Sequence, residues 1–340
     1  MRGWATVGSM EFGFYRRGLW ARDLVEISND PAVLLDGNFW AVIVTYEGEQ
    51  TFARFANVHH DAEREFFARA SELPWTPPGA DWISSITHHE YLDAVTKVRN
   101  AIERGEVYQI NLCRILETKS EAATLAGLVP LLNRDNPAPY LTSIELPGIS
   151  IASASPELLL RREGAVITSS PIKGTAKERE GFLEKDRAEN VMIVDLVRHD
   201  FGSICATGTI HIPRLLDIED HPGLFHLVSD VQGELLEHTT WNEIFEALLP
   251  AGSISGAPKS SAMELISQLE RGTRGPYCGA LGWVHGDRAE LAVGIRTFWL
   301  SGGFLKFGTG AGITWGSDPE LEWLETELKA SRLLSIINND

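Results

Sequence analysis

Apolar positions along this chain switch between a two-residue and a three-to-four-residue rhythm. Residues 39–46 and 50–58 are β-rich runs separated by Glu47-Gly48-Glu49, which predicts a hairpin. Over 87–104, Tyr91, Val95, Val98 and Ile102 recur at helical spacing, and Gly105 follows in the position of a C′ residue. Residues 107–116 then alternate as a strand. Further strands are expected over 148–154, 165–169, 278–285, 290–300 and 304–307, and further helices over 184–198, 241–248, 260–270 and 319–337. Strands that follow one another without a regular βαβ beat favour antiparallel pairing, so the expected class is α+β.

The strongest punctuation is Pro74-Trp75-Thr76-Pro77-Pro78-Gly79. It separates a β-rich part at 1–73, through a connection at 74–84, from a larger region at 85–340. The two parts are read as intertwined in one domain.

The net charge of −17 over 340 residues argues against nucleic-acid or anionic-membrane binding, both of which need a basic footprint. It leaves an anionic small molecule open, because local cations can outweigh the global field. Cys113, Cys205 and Cys278 have no metal-ligand spacing and are expected as small buried hydrophobes in a reducing compartment. Residues 1–10 lack the basic and apolar regions of a signal peptide, and no apolar run is long enough to span a bilayer. The expectation is a cytoplasmic protein.

Candidate chemistry is concentrated in a few segments. Asp186 and Glu189 are three apart on an expected helix, hence on one face; a solvated face relieved by Lys185 and Arg187 would explain them equally simply. A second acid pair, Glu322 and Glu325, shares a stripe with Lys329 on a helix introduced by Ser317-Asp318-Pro319-Glu320, a capping box or an Asp cap with Pro at the first position. Leu321, Leu324 and Leu328 are expected to bury the adjacent face. Two such helices suit a hard cation such as Mg²⁺.

Lys173 stands in a Pro-x-Lys-Gly turn after a strand; to act as a nucleophile its pKa must fall from about 10.4. The alternative is an ordinary surface lysine. Glu157, just after a strand, is either a general acid/base or a rim carboxylate. Arg296, read on an apolar strand, needs an anion, from a substrate or from a structural salt bridge. Residues 308–312, read as a glycine loop, could offer amides to a carboxylate. Residues 252–260 resemble a P-loop only superficially, because Pro258 stands where glycine is required before the lysine. His226 is read as a structural histidine near the end of an element.

Taken together, Tyr108 to Leu112, Ser155-Pro156-Glu157, Pro171 to Thr175, Lys185 to Leu196, His226 to Ser229, Gly252 to Lys259, Gly294 to Thr297, Gly310 to Gly312 and the Glu322/Glu325 segment resemble the chorismate-utilising enzymes. That family includes the anthranilate, aminodeoxychorismate, isochorismate and salicylate synthases. The resemblance implies a sandwich of two facing antiparallel sheets with helices outside. Lysine after Pro-Ile is similar to the aminodeoxychorismate synthases, where anthranilate synthases carry alanine.

The resemblance further implies that Lys173 attacks chorismate at C2 as the C4 hydroxyl leaves, with Glu157 as general acid/base and His226 near the departing hydroxyl. Ammonia then enters at C4, on the route to para-aminobenzoate and folate. Glu189 and Glu325 would hold Mg²⁺, with Asp186 and Glu322 bonding its waters. Arg296, Tyr277, Lys329 and the amides of Gly310, Ala311 and Gly312 would hold the substrate carboxylates. The region before residue 85 lacks the Leu-Leu-Glu-Ser motif linked to tryptophan binding, and His199 stands where the family usually has asparagine. With no glutaminase signature, ammonia is expected from a separate glutamine amidotransferase subunit.

Overall fold

The computed structural model describes residues 13–79, 81–176, 178–221 and 224–338. The residues read for a signal peptide, 1–10, lie outside them. The first strands are β1 (Phe14–Arg16), β2 (Leu19–Ser28), β3 (Phe39–Val44), β4 (Gln50–His59), β5 (Ile83–Ser84) and β6 (Gln109–Lys119). Next come β7 (Tyr140–Leu146), β8 (Ile149–Ser155), β9 (Leu158–Glu163), β10 (Val166–Ser170), β11 (Ile172–Ala176) and β12 (His211–His221). The last are β13 (Leu224–Glu234), β14 (Gly256–Ala257), β15 (Ala280–His285), β16 (Arg288–Val293), β17 (Thr297–Ser301) and β18 (Phe304–Ile313). Helices are α1 (Glu63–Ser71), α2 (His88–Glu103), α3 (Val129–Asp135), α4 (Glu184–Phe201), α5 (Trp241–Leu248), α6 (Lys259–Leu269) and α7 (Pro319–Asn338). None of the described helices is long and apolar enough to cross a membrane.

The pairing is antiparallel throughout and forms one curled ribbon. From one end it runs β12–β13–β10–β9–β16–β15–β3–β4–β2. It continues β1–β7–β8–β17–β18–β6, with β5 and β14 on the far edge of β6. β11 extends β10 along the same edge of β13. The expected α+β class with antiparallel sheets and flanking helices therefore holds. Of the connections between the halves, two are short and adjacent: residues 156–157 lead from β8 to β9, and 294–296 from β16 to β17.

These crossovers are bonded to each other. The Ala154 N–H donates to the Arg296 carbonyl at 3.0 Å, and the Val293 N–H to the Glu157 carbonyl at 3.0 Å. The Ser155 hydroxyl reaches the Val293 carbonyl at 2.6 Å. The single strand expected over 290–300 is consequently broken. Arg296 adopts φ +52°, and a Cβ at Gly294 would lie 2.1 Å from the Pro276 carbonyl oxygen. Only glycine permits that close approach, so the strand ends there and the chain changes halves.

Helix α2 begins with a capping box, the Thr87 hydroxyl taking the Glu90 N–H while the Glu90 carboxylate takes the Thr87 N–H at 2.9 Å. It ends at Gly105, φ +74°, as its sequence requires. Helix α7 begins on an Asp cap: Asp318 Oδ1 accepts from the Glu320 and Leu321 N–H groups at 3.0 and 3.1 Å.

Its inward face corrects the sequence reading. Leu321, Leu324 and Leu328 are 65, 52 and 74% exposed, whereas Glu322, Thr326, Ala330, Leu333, Ile336 and Ile337 are buried. The cause is the polar wall beneath the first turns. Arg114 of β6 donates to the Thr326 hydroxyl at 2.9 Å, and the Thr309 hydroxyl of β18 to the Thr326 carbonyl at 2.9 Å. Trp323 alone of the early turns packs on an apolar cluster, beside Tyr91, while the later turns lie over another, with Phe298, Leu305 and Phe307. The proline-rich connection is stitched to the same helix, the Trp75 indole donating to the Ile337 carbonyl at 2.8 Å.

Candidate active site

The two ends of the ribbon and the crossovers converge on Lys173. β9 stops pairing β10 at Leu158↔Ser170, so β11 continues with β13 on one side and an open edge on the other. Lys173 Nζ donates to the Ser253 carbonyl at 3.0 Å. The Ser253 hydroxyl in turn donates to Glu157 Oε1 at 2.7 Å. Glu157 is buried; that burial pushes its carboxyl up to about 6, against the opposing pull of the Ser253 hydroxyl, the Lys173 charge and the Ile172 N–H. Loss of solvent lowers the Lys173 ammonium from its ordinary value, a shift resisted by Glu157 and deepened by Lys329, with Glu189 and Glu325 also in electrostatic reach. Lys173 is therefore no surface lysine; it faces acidic residues of both helices.

The glutamate helices approach in different ways. Gly174, at φ +85°, leaves room for Asp186: a Cβ there would be 3.0 Å from the Asp186 Cβ. Asp186 caps its own helix, accepting the Leu183 N–H at 2.8 Å. Asn190 ties α4 to the sheet, donating to the Leu227 carbonyl at 3.1 Å and accepting the Ser229 hydroxyl at 2.5 Å. On α7, burial raises the Glu322 carboxyl, assisted by Glu325 and opposed by Ser317. Burial also acts to raise Glu325, but Lys329, 2.7 Å away, outweighs it and holds the carboxyl low. Lys185 of α4 lies in electrostatic reach of both α7 glutamates.

Among the described residues, no three Asp, Glu, His or Cys side chains are gathered closely enough to hold a metal ion. The four carboxylates fit a hard cation in kind, being all-oxygen donors on opposed helices; Lys185 and Lys329 stand beside them as internal counter-charges.

The carboxylate-binding candidates are brought together from three elements. Residues 308–312 are not a loop; they complete β18 against β6. The Asn111 N–H points away from β18, to the Ser255 carbonyl at 2.8 Å. Alternation then turns Leu112 toward β18 and makes Leu112↔Ala311 the hydrogen-bonded pair. The Ala311 amide is thus spent in the ladder, while the backbone groups of Gly310 and Gly312 face the opposite edge. Lys329 Nζ occupies that edge, donating to the Gly310 carbonyl at 3.0 Å. The glycines are required by close approach: a Cβ at Gly308 would lie 2.1 Å from the Tyr277 ring, and one at Gly310 2.6 Å from Cys113 Sγ.

Arg296 lies in the β16–β17 crossover rather than on a strand. Among the described residues its guanidinium has no hydrogen-bond or ion-pair partner, so the structural salt bridge considered from sequence is absent. Burial lowers its pKa, with Arg332 adding to the effect. Such a guanidinium suits an anionic ligand. His226 is buried near the start of β13, opposite Thr175 of β11 and Glu219 of β12.

Sequence reasoning missed three supports. Ser253, inside the run set aside as a false P-loop, bridges Lys173 and Glu157. Lys259 of the same run serves an ion pair, with Asp200 at 3.0 Å and the Ala247 carbonyl at 2.9 Å. Arg274, 2% exposed, pairs with Glu270 at 2.6 Å and donates to the Ile254 and Asn111 carbonyls at 2.9 and 2.8 Å. The available signal was a polar residue in an otherwise small or apolar run, which by itself does not name a partner.

Comparison with known proteins agrees with this architecture. The protein family described as chorismate binding enzyme matches residues 4–335. Anthranilate synthase component 1 of Aquifex aeolicus is 33% identical over 306 residues, covering 85% of this chain and 62% of that protein. Aminodeoxychorismate synthase component 1 of Salmonella typhimurium is 32% identical over 317 residues, covering 88% of this chain and 69% of that protein. The chain thus spans less than two-thirds of the length of the anthranilate synthase relative. The crystal structure of anthranilate synthase component I from Streptococcus pneumoniae superposes with a TM-score of 0.80 at 23% identity, covering 98% of this chain and 95% of that one.

Proposed function

The chain belongs to the family of chorismate binding enzymes, and on that premise we propose that it aminates chorismate to 4-amino-4-deoxychorismate. The observation that carries this reading is the Lys173 amine, half-buried beside Glu157 through Ser253 and depressed in pKa. A neutral amine there can add to C2 of the ring. The C4 hydroxyl leaves as water, taking its proton from Glu157, whose carboxyl near 6 retains a useful fraction of acid. Ammonia then bonds to C4 and expels the Lys173 nitrogen, regenerating the amine. Arg296, Lys329 and the outward amides of Gly310 and Gly312 bind the substrate carboxylates, and Tyr277 forms part of that wall. His226 lies near the departing hydroxyl.

Mg²⁺ bound through Glu189 and Glu325, with Asp186 and Glu322 on its waters, would supply positive charge opposite a substrate carboxylate. Ammonia comes from a separate glutamine amidotransferase, in keeping with the "component 1" names of relatives in both activities. The protein is read as cytoplasmic, in para-aminobenzoate and folate synthesis.

Anthranilate synthase is the second reading, because relatives of that name are equally similar. Lysine at 173, where anthranilate synthases carry alanine, favours the first. Incubation with chorismate, Mg²⁺ and ammonium, followed by mass spectrometry, separates them. The expected product is aminated and retains the pyruvyl group; release of pyruvate with a fluorescent aromatic product would establish the second reading instead. Lys173→Ala is expected to abolish the covalent adduct.

A further inference from the structure

Among the described residues, Ser253 is the one bonded to both members of the proposed reacting pair. It is 5% exposed, and the turn around it is held on every side. The Ile254 and Ser255 N–H groups both reach the Ala251 carbonyl at 3.1 Å, and the Ser255 carbonyl takes the Asn111 N–H at 2.8 Å. The Arg274 guanidinium holds the Ile254 carbonyl at 2.9 Å. A Cβ on Gly252 would stand 3.1 Å from Leu196 of α4, so the turn is also pressed against that helix. These contacts fix the backbone on both sides of Ser253.

We infer that Ser253 is a positioning residue that divides one proton between Lys173 and Glu157, its carbonyl fixing the amine and its hydroxyl the carboxylate. The inference rests on reading Lys173 as nucleophile and Glu157 as acid. Its two groups act differently. The carbonyl at 3.0 Å from Nζ engages one N–H of the amine in either protonation state, leaving the nitrogen lone pair directed elsewhere. The hydroxyl at 2.7 Å from Oε1 is a donor and favours the ionised carboxylate. Without it, Glu157 would keep only the Ile172 N–H and the Lys173 charge against burial.

Other charges face the pair from neighbouring elements. Glu189 of α4 and Glu325 and Lys329 of α7 act on Lys173. Asp200, paired to Lys259, lines a small cavity shared with Glu157 and Ser253. None of these is bonded to both reacting groups; Ser253 is.

Replacing Ser253 by alanine keeps the carbonyl and deletes the hydroxyl, so the shared proton moves toward Glu157. Glu157 then takes up its proton at higher pH, while Lys173, its carbonyl partner kept, gains nothing that would raise its own titration. Loss of a purely structural serine would instead admit water, lowering Glu157 and raising Lys173 toward their ordinary values. Lys173 can be followed by the pH dependence of its acetylation with acetic anhydride, read by mass spectrometry. Glu157 can be followed by the carboxyl ¹³C signal that disappears in Glu157→Gln.

In Ser253→Ala the Glu157 midpoint should rise by about one pH unit, the size of one hydrogen bond to a charged group, while the Lys173 midpoint does not rise. Ser253→Thr should restore the Glu157 midpoint, and Ser253→Cys, a poorer donor, should shift it by less if the alanine variant does not fold. A Glu157 midpoint that stays or falls, or a Lys173 midpoint that rises, overturns the inference. Because neither measurement uses chorismate, a failure to form the aminated product would count against the proposed function and leave this result standing.

Discussion

The ring of Tyr277 lies where a side chain on Gly308 would have to be, 2.1 Å from the position of its Cβ. The contact joins the loop before β15 to β18, and through β18 to the edge carrying Gly310 and Lys329. Gly308→Ala is therefore expected to displace the tyrosine rather than be absorbed, since the clash is with a buried ring and not with a flexible tip. Chorismate kcat/KM should fall at least about tenfold, mainly through KM, because the wall proposed to bind the substrate carboxylates has moved. Steady-state kinetics on the alanine variant, with Tyr277→Phe as a reference that keeps the ring, would test this; unchanged KM in Gly308→Ala would remove Tyr277 from the binding wall.

In the proposed reaction Glu157 and Lys173 together set the pH dependence. The productive species has acid on Glu157 and neutral amine on Lys173, hence one proton between them. Adding a proton protonates the amine, and removing one ionises the acid, so kcat/KM falls on both sides of its maximum. With the Glu157 carboxyl near 6, one limb of the profile should lie close to pH 6. Glu157→Gln should remove that limb and lower the rate by about 10²–10⁴-fold. A profile that keeps the limb in the glutamine variant assigns it to another group.

Much of this fold could be read locally. The hairpin of β3 and β4, α2 with Thr87 and Gly105 at its ends, and the Asp318 start of α7 are each fixed by neighbours in the chain. What could not be read depends on distant partners. Gly308, Gly310 and Gly312 look like a loop until Tyr277, Cys113 and Gln109 are seen filling the space beside them. Arg296 looks like a strand residue until the crossover forces it to φ +52°. The leucines of the first turns of α7 follow the usual amphipathic rule, yet Thr326 turns inward to Arg114 and Thr309, so those leucines point outward. At the site, Lys173 and the two acid pairs were legible as unusual residue types, and the register explains why Ala311, unlike the glycines beside it, offers no amide. Ser253 was not legible, because its role exists only once Lys173 and Glu157 meet it from different elements.

Arg296 gives a clean separation of binding from stability. Its guanidinium has no protein partner among the described residues, so shortening it removes no internal hydrogen bond. Arg296→Ala should keep the melting temperature within about 2 °C while weakening chorismate binding about 10–100-fold, as expected for one charge-assisted interaction. Calorimetric titration together with a thermal melt checks both halves. A large loss of stability with unaltered affinity would make the arginine structural.

Glu145 predicts a pH effect on stability away from the site. It is 7% exposed; burial drives its carboxyl up to about 7, even though Ser150 Oγ donates at 2.8 Å and the Leu125 N–H at 3.1 Å. The folded value is above the unfolded one, so this contribution is fully present below about pH 4.5 and is lost as pH rises through about 7. The loss amounts to up to about 3 kcal/mol by linkage. Glu145→Gln keeps an acceptor and cannot ionise. Its melting temperature should therefore exceed that of the parent at pH 8 and approach it at pH 5; parallel curves across that range would show that Glu145 ionises freely in the folded protein.

The inverted face of α7 is tested by two leucines on that helix. Leu324 is 52% exposed and Leu333 is 2% exposed, the latter packed in the cluster containing Phe298, Leu305 and Phe307. Had the helix followed its leucine stripe, Leu324 would be the costly residue to truncate. With Thr326 turned toward Arg114 and Thr309, the order reverses. Leu333→Ala leaves a cavity in a close-packed cluster and should destabilise by about 2–5 kcal/mol. Leu324→Ala removes a side chain that already meets water, and should change stability by no more than about 0.5 kcal/mol. Urea unfolding of the two variants, compared at equal m-values, gives the difference directly, and a larger loss at Leu324 would mean that the first turns of α7 bury their apolar face after all.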